Sequence, residues 1–253
     1  MRVFLLSQDY DGSPLYYLKK REVQYLEKVL RLEKGTVFTA KDTSDNYYEA
    51  KLEDEGTLLL KPTDNPEDTL LDSLSGYSGP FAPIDVYVSI LKGKKNESVV
   101  RALTEIGVRK IIFMDTDNAQ EHEFSSHQKE RLETILKEAV QQSGSRSPIL
   151  SGPVPFFTAI EKSEGKKVIL HQSLRGKTTY IEKVFADHDI KNVASLFIGP
   201  EGGFSDQECV LAENNGFYPV LLRTNILRAE TAAVYTTATV QSLLHSNSLN
   251  KFH

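Results

Sequence analysis

The sequence predicts an α/β protein built on a mostly parallel sheet and preceded by a smaller β-rich domain. Three observations predict it. From Ile84 onward, apolar runs alternate with amphipathic stretches, as strands joined by crossover helices do. Before that, short alternating runs are separated by turn residues. Between the two, residues 62–83 hold Pro62, Pro66, Gly76, Gly79, Pro80 and Pro83 among Asp64, Glu67, Asp68 and Asp72, a composition suited to a solvated connection.

In the first segment, Val23, Leu26, Val29 and Leu30 recur at helical spacing between residues 20 and 31. Residues 36–40 and 47–52 are alternating runs on either side of the turn-rich stretch 41–46, and residues 57–62 read as a further strand. Several short strands and one helix suggest a small barrel. In the second segment, residues 84–91 read as a strand and 96–106 as a helix that Gly107 is placed to end. Residues 110–114 form the next strand. A long helix follows over 127–142, with Leu132, Ile135, Leu136, Ala139 and Val140 on one face. Strands are predicted at 167–170, 193–198 and 217–222, and a closing helix from about residue 230 to 245. No internal repeat or low-complexity tract interrupts the pattern.

The 253 residues suffice for one large domain or two small ones. At 40% hydrophobic and 26% charged, the composition is that of an ordinary soluble globular protein. No run approaches the roughly 20 apolar residues of a membrane span. The apolar run near Met1 is too short for a signal peptide. A single cysteine, Cys209, excludes an internal disulfide and a cysteine-based zinc cluster. In the helix expected after residue 204, it reads as a packed thiol. These features point to the cytoplasm. The net charge of −5 argues mildly against a nucleic-acid partner. Local basic clusters exist all the same, among them Lys28 with Arg31 and Lys34, and Lys92 with Lys94 and Lys95. His122 and His127 read as surface residues, and no metal is expected.

Two loops concentrate the glycine and charge. Gly199-Pro200-Glu201-Gly202-Gly203-Phe204 follows one apolar strand, and Ile226-Leu227-Arg228-Ala229-Glu230-Thr231-Ala232 follows another. Loops at the carboxyl ends of strands are where open α/β sheets bind ligands. Ser205 and Glu208 have capping-box spacing, so a helix is expected to start at Ser205. The spacing G-x-x-G-G is not the G-x-G-x-x-G of a dinucleotide site. Gly176-Lys177-Thr178 is not a phosphate-binding P-loop either, because His171 stands where glycine is required.

Taken together, the two loops closely resemble the RsmE family of the SPOUT superfamily. Leu103-Thr104-Glu105-Ile106-Gly107-Val108, Glu138-Ala139-Val140-Gln141-Gln142-Ser143 and Val29-Leu30-Arg31 extend the resemblance over nearly the whole chain. It implies S-adenosylmethionine-dependent methylation of a uridine at N3 in 16S ribosomal RNA, within the small ribosomal subunit. It further implies a PUA-like β-barrel for RNA binding over residues 1–72 and a SPOUT methyltransferase domain over 73–253. A deep trefoil knot at about 195–240 and a homodimer are implied as well. The cofactor-binding positions implied are Leu170, His171, Ile198, Gly199, Glu201, Gly202, Gly203, Ile226, Leu227, Arg228, Glu230 and Thr231.

Methyl transfer from a sulfonium needs an aligned nucleophile, and uridine N3 must lose a proton to become one. A carboxylate can take that proton, and an arginine can stabilise the charge that develops. Arg228, Glu230 and Glu201 are the candidates for that chemistry. Alternatively, Arg228 pairs with Glu201 or Glu230 and braces the loops. Arg31, Lys28, Lys92, Lys94 and Arg146 are the candidates for RNA contact.

The chain departs from the family in four places. Gln24-Tyr25-Leu26 lacks a histidine, Leu222-Arg223 replaces leucine-glycine, residues 115–120 lack an arginine-serine pair, and one extra residue precedes Arg146. Two other readings stand beside the favoured one. The first is a knotted methyltransferase acting on tRNA or on another rRNA nucleotide. The second is a non-catalytic RNA-binding protein that keeps the fold without the cofactor.

Overall fold

The computed structural model describes residues 3–29, 31–44, 46–53, 56–64, 82–171, 178–186 and 193–250. The chain divides into two compact units, residues 1–79 with 140–144, and residues 80–139 with 145–253. The expected boundary at 72/73 and most of the expected linker lie outside the described residues.

The first unit is a five-stranded sheet. Its strands are β1 (Phe4–Leu5), β2 (Leu15–Tyr17), β3 (Val37–Lys41), β4 (Tyr47–Leu52) and β5 (Thr57–Thr63), in the order β1-β3-β4-β5-β2. β1 runs parallel to β3, and the other pairs are antiparallel. Period-two alternation sends Tyr48, Ala50, Leu52, Leu58 and Leu60 to a core with Phe4, Tyr16 and Leu26. The β3–β4 turn is fixed by Asp42, which accepts the N–H groups of Ser44 and Asn46 at 2.8 and 2.9 Å.

At the sheet's two edges, Tyr16 of β2 meets Ser7, just past β1. Its hydroxyl lies 2.9 Å from Ser7 Oγ and 2.8 Å from Glu22 Oε1. The expected small barrel is therefore a curled half-barrel, drawn together by side chains where no backbone ladder among the described residues joins the edges. The expected helix is α1 (Lys20–Gln24), which runs on as a π-turn over Tyr25–Val29. Arg31 follows with a φ of 52°. The side chains of Lys28, Val29 and Leu30 lie outside the described residues.

The second unit is organised by a seven-stranded sheet. Its strands are β6 (Ile84–Ser89), β7 (Lys110–Asp115), β8 (Ile149–Pro155), β9 (Lys166–Leu170), β10 (Thr179–Tyr180), β11 (Ala194–Ile198) and β12 (Tyr218–Leu221). The order is β10-β12-β9-β11-β6-β7-β8, and every pair is parallel. The helices are α2 (Lys95–Ile106), α3 (Ser126–Ser143), α4 (Phe156–Lys162), α5 (Ile181–Phe185), α6 (Asp206–Asn214) and α7 (Ala229–Asn250).

β6 and β11 are buried along their whole length, as strands covered on both faces must be. Tyr87 of β6 stacks on Phe197 of β11 with ring centroids 4.4 Å apart, and Phe217 meets Phe197 edge-on at 4.6 Å. Gly107 ends α2 in the left-handed conformation, and Gln241 of α7 donates to the Ile106 carbonyl at 3.1 Å. α7 presents Ala232, Ala233, Thr236, Thr237, Val240 and Leu244 as a buried face of mostly small residues, packed along α2 and across β6 and β11.

Two strands and two helices of this unit were not legible in the sequence. β8 contains Gly152, Pro153 and Pro155, which argue against a strand unless it lies at an edge, where β8 does lie. β10, α4 and α5 are too short to show a period.

The amino ends of the strands are closed by ion pairs. Asp85 on β6 is fully buried, and Arg109 binds both its oxygens at 2.6 Å. Lys110 and Glu164 complete the cluster, with Lys110 Nζ 3.4 Å from Asp85 and Glu164 3.0 Å from Arg109. Removing Arg109 takes two short hydrogen bonds from buried Asp85 and leaves Lys110 as its one cation among the described residues, at a cost of about 3 kcal/mol. Arg109→Ala is therefore expected to lower the unfolding free energy by about 3 kcal/mol in a urea titration, with the activity of the remaining folded protein unchanged.

Candidate active site

The strand order β12-β9-β11-β6 places four loops side by side at the carboxyl edge of the sheet. β12 leads to residues 222–228, β9 ends at Leu170 with His171 next, β11 leads to the glycine loop, and β6 leads to residues 90–94. The His171 N–H donates to the Val220 carbonyl at 3.1 Å, so β9 and β12 stay joined up to this edge.

The glycine loop begins where Ile198 leaves β11. Gly203 N–H donates to the Pro200 carbonyl at 2.9 Å, and Gly203 adopts a φ of +72° that side chains disfavour. A Cβ on Gly202 would stand 3.2 Å from Asn118 Cβ, so the backbone itself packs on the loop after β7. Asn118 Nδ2 donates to the Gly203 carbonyl at 3.0 Å.

The capping box predicted at Ser205 is present and does more than start α6. Ser205 Oγ accepts Glu208 N–H at 3.2 Å, and Glu208 Oε2 accepts Ser205 N–H at 2.8 Å. Glu208 Oε1 also accepts Asp117 N–H at 3.0 Å, and Ser205 Oγ donates to Asp117 Oδ2 at 2.5 Å. Glu208 is thus a buried carboxylate that locks the glycine loop to residues 115–118. Burial pushes its carboxyl above the usual range, opposed by the Ser205 and Asp117 N–H groups. Cys209 is partly buried against the aromatic core on the same helix.

The loop after β6 is shaped by Asn96, which is almost fully buried. Its side chain accepts Leu91 N–H at 2.9 Å and donates to the Leu91 carbonyl at 2.7 Å. The turn exposes Lys92 and Lys94 and sends Lys95 toward the other loops. Lys95 Nζ lies 2.6 Å from Glu201 Oε1 and 4.0 Å from Glu230 Oε2. Lys92 N–H approaches the same Glu201 oxygen at 3.4 Å. Burial would raise the Glu201 carboxyl, but the Lys95 hydrogen bond and backbone N–H groups outweigh it and hold it below the usual range. The Glu201 carboxylate in turn raises the Lys95 ammonium.

Glu201 and Glu230, both candidates from the sequence, are thus brought together through Lys95, a member of the basic cluster with Lys92 and Lys94. The signal for Lys95 was faint: a lysine as the first residue of a helix, where the dipole disfavours a cation. Arg228 is exposed and forms no ion pair among the described residues, so Lys95 makes the brace that was considered for Arg228. Thr231 and Ile226 are also exposed, Ile226 at 83%. Arg223 packs away from these groups, its guanidinium 4.3 Å above the Tyr180 ring and its Nε 3.8 Å from Glu182. Arg146 and Arg31 are exposed. His122 is exposed and pairs with Asp115 at 2.6 Å. Among the described residues, no group of three or more His, Cys, Asp or Glu side chains is placed to hold a metal ion.

The RNA methyltransferase domain family matches residues 78–241. The ribosomal RNA small subunit methyltransferase E of Synechocystis is 30% identical over 233 residues, covering 90% of this chain and 73% of that protein. The chain belongs to the ribosomal RNA small subunit methyltransferase E family. The Rickettsia conorii member is 27% identical and matches 96% of this chain and 95% of its own length. Among solved structures, a Legionella pneumophila methyltransferase with S-adenosylmethionine bound superposes with a TM-score of 0.75 at 25% identity, covering 95% of this chain and 96% of that one. The Neisseria gonorrhoeae member of the family has the same fold, with a TM-score of 0.77 at 22% identity over 96% of this chain and 98% of that one.

Replacing Glu208 by Ala removes the capping box and leaves Asp117 N–H without its acceptor. A loss of about 1–2 kcal/mol in unfolding free energy is expected. Hydrogen exchange should show the added opening in residues 199–208 before the rest of the sheet.

Proposed function

We propose that this protein uses S-adenosylmethionine to methylate a uridine at N3 in 16S ribosomal RNA of the small ribosomal subunit. The observation that carries the reading is the meeting of the glycine loop with Glu230 and Lys95 at the carboxyl edge of the sheet, in a chain of this family. The family's relatives are small-subunit rRNA methyltransferases by name, and the Legionella structure holds S-adenosylmethionine.

The residues present fit that cofactor, which offers no phosphate to grip. A Cβ at Gly202 would stand 3.2 Å from Asn118 and one at Gly199 3.1 Å from the Phe204 ring, both tighter than ordinary contact, so the loop offers backbone N–H and C=O groups. Leu170, His171, Ile198, Gly199, Gly202 and Gly203 would hold it on one side. Ile226, Leu227, Arg228, Glu230 and Thr231 would hold it on the other. Two carboxylates, Glu201 and Glu230, suit a ligand with cationic sulfonium and ammonium groups.

When bound, the cofactor supplies an electrophilic methyl group. The chain's own residues must then orient the base and take its proton. The N3 proton passes to a carboxylate, the N3 electron pair forms the new N–C bond, and the electrons of the C–S bond leave with sulfur. Arg228, Glu230 and Glu201 are the groups for this work. Arg228, exposed and without an ion pair among the described residues, can stabilise the negative charge that develops on the uracil ring.

The N-terminal half-barrel, with Arg31 and Lys28, is the RNA-binding domain of this reading, and Lys92, Lys94 and Arg146 contact RNA from the catalytic domain. The knot at residues 195–240, the homodimer and the cytoplasmic location belong to the same proposal.

Purified protein, labelled S-adenosylmethionine and small subunits lacking the modification test it. Label is expected in N3-methyluridine after digestion of the RNA. Label in another nucleoside would overturn the uridine assignment. Glu230→Gln should lower turnover at least about a hundredfold and cofactor affinity far less, because the amide keeps the shape of the side chain and an accepting oxygen. Near wild-type turnover would remove Glu230 as the proton acceptor.

A further inference from the structure

Lys95 stands at the centre of the three loops that carry charge. Its ammonium touches Glu201 from the glycine loop at 2.6 Å and faces Glu230 of α7 at 4.0 Å, with the Arg228 charge also acting on it. The two glutamates are not equivalent. Glu201 Oε1 has Lys95 and the Lys92 N–H as partners. Glu230 Oε2, the oxygen that faces Lys95 at 4.0 Å, is buried and finds no hydrogen-bond partner among the described residues. A buried carboxylate oxygen without a hydrogen bond costs stability, and proteins keep such local violations where function requires them. The lysine is itself held against a local rule, at a helix N-terminus. Its position is fixed from behind by the Asn96 clasp on Leu91.

We propose that Lys95 is a positioning residue that separates the roles of the two glutamates, committing Glu201 to a short ion pair and orienting Glu230 from 4.0 Å without engaging its carboxylate in a hydrogen bond. The inference rests on the methyltransferase reading above and narrows it: Glu230, and not Glu201, receives the proton of the base. A lysine suits this task because its ammonium neutralises one carboxylate at short range and still draws the second toward the same point.

The test compares Lys95→Met, Lys95→Arg, Glu201→Gln and the Lys95→Met/Glu201→Gln double variant in the full-length protein. Three quantities are read: turnover and KM on unmodified small subunits, S-adenosylmethionine affinity by calorimetry, and the titration of the Lys95 ammonium by nitrogen-15 NMR. Lys95→Met should lower kcat at least about tenfold, with KM and cofactor affinity within about threefold of wild type. Lys95→Arg should recover most of the loss, and Glu201→Gln should add little to Lys95→Met. Glu201→Gln should also return the Lys95 ammonium toward the titration of an ordinary lysine.

Wild-type kcat in Lys95→Met overturns the proposal. So does a Lys95 titration that Glu201→Gln leaves unmoved. Loss of cofactor binding in Lys95→Met would make Lys95 a brace of the cofactor site instead, and also overturns it. A wild-type protein that fails to methylate small-subunit RNA would sink the functional reading alone, while the ammonium titration still decides whether the lysine is committed to Glu201.

Discussion

β11 lies between β9 and β6 with every residue buried, and that placement decides which loops can meet. A parallel strand cannot be reached by a hairpin. Each crossover must return to the amino edge, so the carboxyl edge gathers segments far apart in sequence. Residues 92–95, 170–171, 198–203 and 222–230 become neighbours because the strands before them are ordered β6, β11, β9 and β12 across the sheet. The stacked Tyr87 and Phe197 rings fix the central pair, and burial pushes the Tyr87 hydroxyl up to about 12, so this ring stays neutral in the core.

Charge is divided between the two edges of the sheet according to what each must do. At the amino edge, Asp85, Arg109, Lys110 and Glu164 satisfy one another in a closed network. At the carboxyl edge, Glu201 is paired closely with Lys95, Glu230 faces the same lysine at 4.0 Å without a hydrogen bond to that oxygen among the described residues, and Arg228 is exposed. A fully satisfied network rigidifies a fold, and an incompletely satisfied one has chemistry to spare.

Much of this was legible in the sequence because it has a local cause. The strands β6, β7, β9 and β11 are mostly apolar runs with few polar interruptions, and α3 shows its buried face at helical spacing. Gly107 and the Ser205–Glu208 box announce a helix end and a helix start by their own chemistry. What escaped notice depends on the tertiary fold. Prolines in β8 are tolerated because the strand has a free side, which no local pattern can show. Lys95 looked like one of three surface lysines, since its partners are more than a hundred residues away in the chain. The second role of Glu208, as acceptor for Asp117, was hidden for the same reason.

The borders of the large sheet also bear on how the protein behaves in a crowded solution. An unpaired strand offers its row of N–H and C=O groups to any neighbouring chain. Here one border is β8, where Pro153 and Pro155 remove two donors. The other is β10, only two residues long. Neither border can template a second molecule over any length. The carboxyl edge, where the glycine loop exposes its backbone, is thereby flanked by borders that resist edge-to-edge association.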